Sequence, residues 1–113
     1  MARNRVERIA RNESIFRSLN ESLEASVHRG RPEGDLAGFV CECGDPGCEA
    51  TIRVALPEYE SVRADSRLFV VLPGHDTPDV EDVVSTGEGY AVVRKHADAT
   101  EIVEQTDPRR NPG

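Results

Sequence analysis

At 113 residues, 37% of them apolar and 4% aromatic, the chain suffices for one domain but for a core of only marginal size, so a staple is expected to help hold it. No apolar run approaches the roughly 18 residues of a membrane span, and the arginine-rich start has no hydrophobic signal core, which points to the cytoplasm. The net charge of −7 is divided: residues 1–31 carry seven arginines against four glutamates, whereas the remainder carries seven basic and seventeen acidic residues, a surface that argues against nucleic acid as a partner.

From Ala2 to Val27 there is neither proline nor glycine, and Val6, Ile9, Ile15, Phe16, Leu19, Leu23 and Val27 recur at helical spacing. Ile9, Phe16 and Leu23 are seven apart, so residues 1–28 read as an amphipathic helical arm. Asn12 and Ser26 interrupt any sustained heptad, leaving packing on the body and helix-mediated dimerisation both open. Asn12-Glu13-Ser14 is echoed eight residues later by Asn20-Glu21-Ser22 on a neighbouring helix face.

Gly30, Pro32 and Gly34 stop the helix, and residues 29–38 read as a linker. Phe39-Val40-Cys41 and Thr51–Leu56 have strand character and flank the turn Gly44-Asp45-Pro46-Gly47, which predicts a hairpin. A short helix is expected over Leu56–Arg63, with Pro57 near its start and Leu56, Tyr59 and Val62 on one face. Leu68–Leu72 reads as a buried strand ending at Pro73-Gly74, Val80–Val84 and Tyr90–Arg94 as a second hairpin, and Ala97–Gln105 as a last short helix. The expected class is α+β: a domain over 39–105, with 106–113 as a disordered tail.

All three cysteines fall within eight residues, Cys41-Glu42-Cys43-Gly44-Asp45-Pro46-Gly47-Cys48. On an extended strand Cys41 and Cys43 point to one side, and the turn returns Cys48 toward them. His75 follows Pro73-Gly74 at the end of the buried strand, where a corner can present its imidazole. Three thiolates and one imidazole are the donor set of a closed, tetrahedral, structural zinc site, so Cys41, Cys43, Cys48 and His75 are the candidate ligands for Zn2+. Rival readings are less economical. Glu42, Asp45 and Glu49 argue against a plain core segment, a Cys41–Cys43 disulfide closes a strained ring, and an iron–sulfur centre takes a fourth thiolate. A catalytic zinc with Asp45 or Glu49 as base needs an open metal position, which a fourth ligand removes. His28, His96 and Asp76 are the alternative donors.

The residues Asn12-Glu13, Phe16-Arg17, Asn20-Glu21, Phe39–Cys43 with Asp45 and Cys48, Tyr59-Glu60, Val62-Arg63, Phe69–Val71 with Pro73-Gly74-His75, and Thr106–Arg109 give a pattern that resembles a family of short bacterial proteins with no attached activity. The resemblance spans Arg11 to Arg109 and implies the same ligand set, with the helix and domain forming a unit.

No phosphate-cradling loop, nucleophile elbow or stacking platform is present in the sequence. The expected function is therefore that of a non-enzymatic, zinc-stapled regulatory module that binds a protein partner. Its contacts would be Ile9, Phe16, Leu19 and Leu23, with Arg8, Arg11 and Arg17 at the rim. A zinc enzyme with an open metal position and a thiol redox sensor are the alternatives.

Overall fold

The computed structural model describes residues 2–26 and 35–110. They form α1 (Ala2–Ser26), β1 (Leu36–Val40), β2 (Thr51–Ala55), α2 (Leu56–Arg63), β3 (Leu68–Val71), β4 (Glu81–Gly87), β5 (Tyr90–Lys95), a 3-10 turn (Ala97–Ala99) and α3 (Thr100–Gln105). The α+β class follows. β1 and β2 pair antiparallel from Leu36↔Ala55 to Val40↔Thr51, and a second antiparallel sheet has the order β3-β5-β4.

Alternation explains the first sheet. Ala37, Phe39, Ile52 and Val54 turn inward, and Phe39 stacks on Tyr59 of α2 with centroids 4.2 Å apart. Val62, Val70 and Val92 complete that cluster, while a second gathers Val6, Ala10, Cys41, Cys43, Phe69, Val71, Val93 and Val103. The chain crosses between the two sheets at Glu42, whose N–H donates to Val70 O at 2.8 Å.

α1 lies against the body, and its buried line is Val6, Ala10, Glu13, Arg17 and Asn20. That spacing is helical but its second half is polar, so the apolar periodicity points to a different stripe from the one that packs. Arg17, expected at a solvent-facing rim, is fully buried: it donates to Ser66 O at 2.6 Å and Val103 O at 2.7 Å and covers the Phe69 ring. A guanidinium can enter the interior when carbonyl acceptors and an aromatic face replace water.

The ends of the body differ from expectation too. Residues 36–38, assigned to the linker by sequence, belong to β1, while 29–34 of that stretch, like 27 and 28 at the end of the expected arm, lie outside the described residues. The expected disordered tail is ordered through residue 110. Asp107 is buried and accepts from Arg63 and from Ser66, both at 2.5 Å, and Arg109 donates to Glu21 at 2.8 Å and Glu24 at 3.2 Å. Charged anchors hold a segment whose composition alone reads as loose.

Candidate metal centre

Two turns deliver the four donors. After Cys43, Asp45 accepts the Gly47 N–H on its carboxylate at 2.8 Å, and its carbonyl accepts the Cys48 N–H at 3.0 Å. This tight reversal brings Cys48 back beside Cys41 and Cys43. The second turn is Leu72-Pro73-Gly74-His75, closed by the His75 N–H on Leu72 O at 2.9 Å. Gly74 has φ +90°, the left-handed value that the third residue of a type II turn requires and that glycine adopts without strain.

The donor atoms of Cys41, Cys43, Cys48 and His75 all lie within 4.8 Å of one another, and the cysteines are free rather than disulfide-bonded. His75 Nδ1 is 3.6 Å from Cys41 Sγ and 3.6 Å from Cys48 Sγ. Metal bonds of about 2.3 Å to sulfur and about 2.0–2.1 Å to nitrogen at tetrahedral angles give sulfur–nitrogen edges of about 3.5–3.6 Å, the separation found here. One ring nitrogen placed equally between two sulfurs suits ligands around a shared centre better than a single S–H···N bond. The residues present fit a tetrahedral metal ion.

The protein matrix also prepares the sulfurs. Cys41 Sγ accepts the Leu72 N–H at 3.2 Å and also faces the Cys43 amide, and the Asp45 amide faces the Cys43 sulfur. Amide donors favour the thiolate, but burial outweighs them: it raises Cys41, and raises Cys43 to about 12. Without a cation the buried thiols hold their protons, so metal binding must displace them and strengthens as pH rises.

Between the two cysteines, Glu42 turns the other way and is fully buried. Its carboxylate accepts from Asn20 at 2.8 Å, the Val70 N–H at 3.0 Å and Tyr59 OH at 3.4 Å. Burial raises its pKa against those donors. Asn20 also donates to Val40 O at 2.9 Å and accepts the Val40 N–H at 2.8 Å. The acidic neighbours therefore did not exclude a core position. Glu42 is a core residue that clamps the ligand strand from behind, and the same alternation that aligns Cys41 with Cys43 carried the signal.

The other sequence candidates fall elsewhere. Asp45 is committed to its turn, Glu49 is exposed, and His96 pairs with Asp82 at 3.2 Å. His28 lies outside the described residues. Asp76 borders a cleft of about 290 Å³ that Cys43, Gly44, Asp45, His75 and Thr77 also line. A larger cleft of about 590 Å³ lies against Arg63, Arg67, Arg109 and Arg110, each of which is paired with a carboxylate.

On α1, Ile9, Phe16 and Leu23 are half-buried, Arg8 and Arg11 are exposed, and Leu19 is 47% exposed. The most open large apolar side chain among the described residues is Ile15, at 64%. It lies one helical turn before Leu19, and no heptad reading selects it. The Asn-Glu echo serves the body: Asn12 donates to Gly44 O at 3.2 Å, Glu13 lies 2.7 Å from Lys95 Nζ, and Glu21 accepts from Arg63 and Arg109.

Compared with family models, curated proteins and solved structures, the chain matches none. Among the described residues no helix is long and apolar enough to cross a membrane.

Proposed function

We propose that the Cys3His cluster is a structural zinc site and that the chain is a non-catalytic protein-binding module working in a reducing cytoplasm. The observation that supports this most is the closure of the donor set: three sulfurs and one imidazole within 4.8 Å leave no coordination position for water or substrate. Zinc suits the mixture of soft thiolates and imidazole in tetrahedral array. Three thiols so close together would exchange and oxidise outside a reducing compartment unless a metal held them.

The binding face we assign is the outer side of α1, where Ile15 and Leu19 form an apolar ridge with Arg8 and Arg11 preceding it. The matching partner surface is an apolar groove rimmed by carboxylates. Cobalt substitution tests the metal half: a four-coordinate thiolate-rich spectrum without exchangeable water is expected, and a bound exchangeable water would favour an enzyme instead. Native mass spectrometry should show one metal per chain. The double substitution Ile15→Asp with Leu19→Asp should abolish partner recovery while keeping that metal count, and undiminished recovery would overturn the assigned face. A dimer of the native chain that the double variant dissociates would identify the partner as a second copy.

A further inference from the structure

The geometry points to a coupling in which metal occupancy sets the order of the first half of α1, so that the metal regulates the helix face just assigned to a partner. This deepens the proposed function and rests on the reading of the cysteine–histidine cluster as a metal site.

The two halves of the helix are held by different things. In the first half, Val6, Ile9 and Ala10 pack in the cluster that contains Cys41, Cys43 and Cys48. Ile9 sits so close over Gly44 that a Cβ there would collide with its Cγ2 and crowd its Cα. Asn12 donates to Gly44 O at 3.2 Å. The seat of Ile9 and Asn12 is therefore the turn between the second and third candidate metal ligands. The ion pair from Arg5 to Asp79 lies at the surface, where such pairs contribute little, and the hold of the body begins with the buried pair of Glu13 and Lys95.

The second half rests elsewhere. Arg17 is fixed by Ser66 O and Val103 O, Asn20 by Val40 and Glu42, and Glu21 by Arg63 and Arg109. Val40, Arg63 and Val103 belong to β1, α2 and α3, Ser66 to the loop after α2 and Arg109 to the segment after α3; Glu42 lies between two candidate ligands, but its side chain faces away from them, and none of these residues is itself a ligand.

The turn under the first half has little structure of its own. Across residues 43–49 the hydrogen bonds described are the two local ones made by Asp45, the one from Asn12 and those of the ligand sulfurs themselves. Four bonds to a common ion would hold it. With the ion removed those four bonds are gone, the turn relaxes, and Ile9 and Asn12 lose the surface they sit on. Opening is then local to the first half of α1 and the 43–49 turn, in the manner of a cooperative sub-unit whose stability lies below that of the whole fold. Linkage makes the effect reciprocal: whatever secures or displaces Val6–Asn12 shifts metal affinity by the same factor. Arg8 and Arg11 ride on this half, so occupancy controls whether the cationic end of the docking face is presented as helix.

Hydrogen exchange of the reduced, full-length chain, zinc-loaded and chelator-stripped, tests the coupling. On stripping, amides over 9–12 should exchange about tenfold faster or more, while those over 18–24 change by less than about threefold. Equal acceleration of both halves, or none in either, overturns it. In the loaded protein, Asn12→Ala removes the bond to Gly44 without touching a ligand, and zinc affinity measured by competition with a chromophoric chelator should fall about three- to tenfold. Affinity unchanged within about twofold also overturns it. A metal count of zero in the purified native protein would sink the metal reading and this coupling together, whereas a count of one with uniform exchange would sink the coupling alone.

Discussion

Ile9 and Asn12 meet the turn that carries the candidate metal ligands, whereas about two turns farther along the same helix Arg17, Asn20 and Glu21 meet carbonyls, carboxylates and guanidiniums inside the body. The first contact is close packing with one hydrogen bond. The second is a polar seam in which Arg63 donates to both Glu21 and Asp107 and is itself buried. Apolar contact tolerates gradual loosening, because dispersion and area burial fall off smoothly. A buried ionic seam does not, since removing one partner leaves another charge stranded without water. The helix is thus pinned by buried polar bonds at its second half and seated mainly by packing at its first.

Breaking the metal corner should have the largest effect. Cys41→Ala removes a ligand, and zinc affinity by chelator competition should fall by about a thousandfold or more. Breaking the polar seam comes next. Arg63→Ala takes the buried cation from Asp107 and leaves Glu21 to Arg109 alone, and it should cost about 3–5 kcal/mol in denaturant unfolding, with metal stoichiometry retained in the folded fraction. A native-like midpoint would show that the seam is incidental.

Gly44→Ala sharpens the contrast because it perturbs the seat without removing a ligand. The added methyl meets Ile9 Cγ2, and a loss of about 1–3 kcal/mol is expected, together with faster exchange in the first half of α1. The smallest effect concerns pH at the far end of the helix. Burial and then the Glu60 carboxylate raise Glu24 to about 7, against the pull of Arg109. A carboxyl raised in the folded state contributes stability that is fully present below its unfolded value and is lost as pH rises through about 7. Glu24→Gln should therefore flatten the decline in stability between about pH 5 and pH 8. An unchanged pH profile by thermal unfolding would remove Glu24 from the account.

Much of the layout was legible in the residues. Pro57 and the Leu56, Tyr59, Val62 spacing marked α2 over Leu56–Arg63, and the turn chemistry at Gly44–Gly47 marked the β1–β2 connection. Pro73-Gly74 announced the corner that presents His75, because a fixed φ followed by a left-handed residue has few other uses. The helix seam was not legible. Periodicity weighs apolar residues, and the line that packs runs through Glu13, Arg17 and Asn20, whose burial is tolerable only because their acceptors and donors wait on distant segments. Asp107 and Arg109 were missed for the same reason: a Pro- and Arg-containing tail looks unstructured until Arg63, Ser66 and Glu21 are in place to receive it.

The sequence by itself determined the local events: where strands end, where turns form, and which four side chains have the donor chemistry of one tetrahedral ion. Only the tertiary structure decided that the N-terminal helix belongs to the body, that Glu42 clamps the ligand strand from behind, and that Ile15 with Leu19 faces outward. The physical reason is one of range. Backbone preference and ligand chemistry are properties of neighbouring residues, whereas the merit of burying a charge depends on partners tens of residues away that only the folded chain brings within reach.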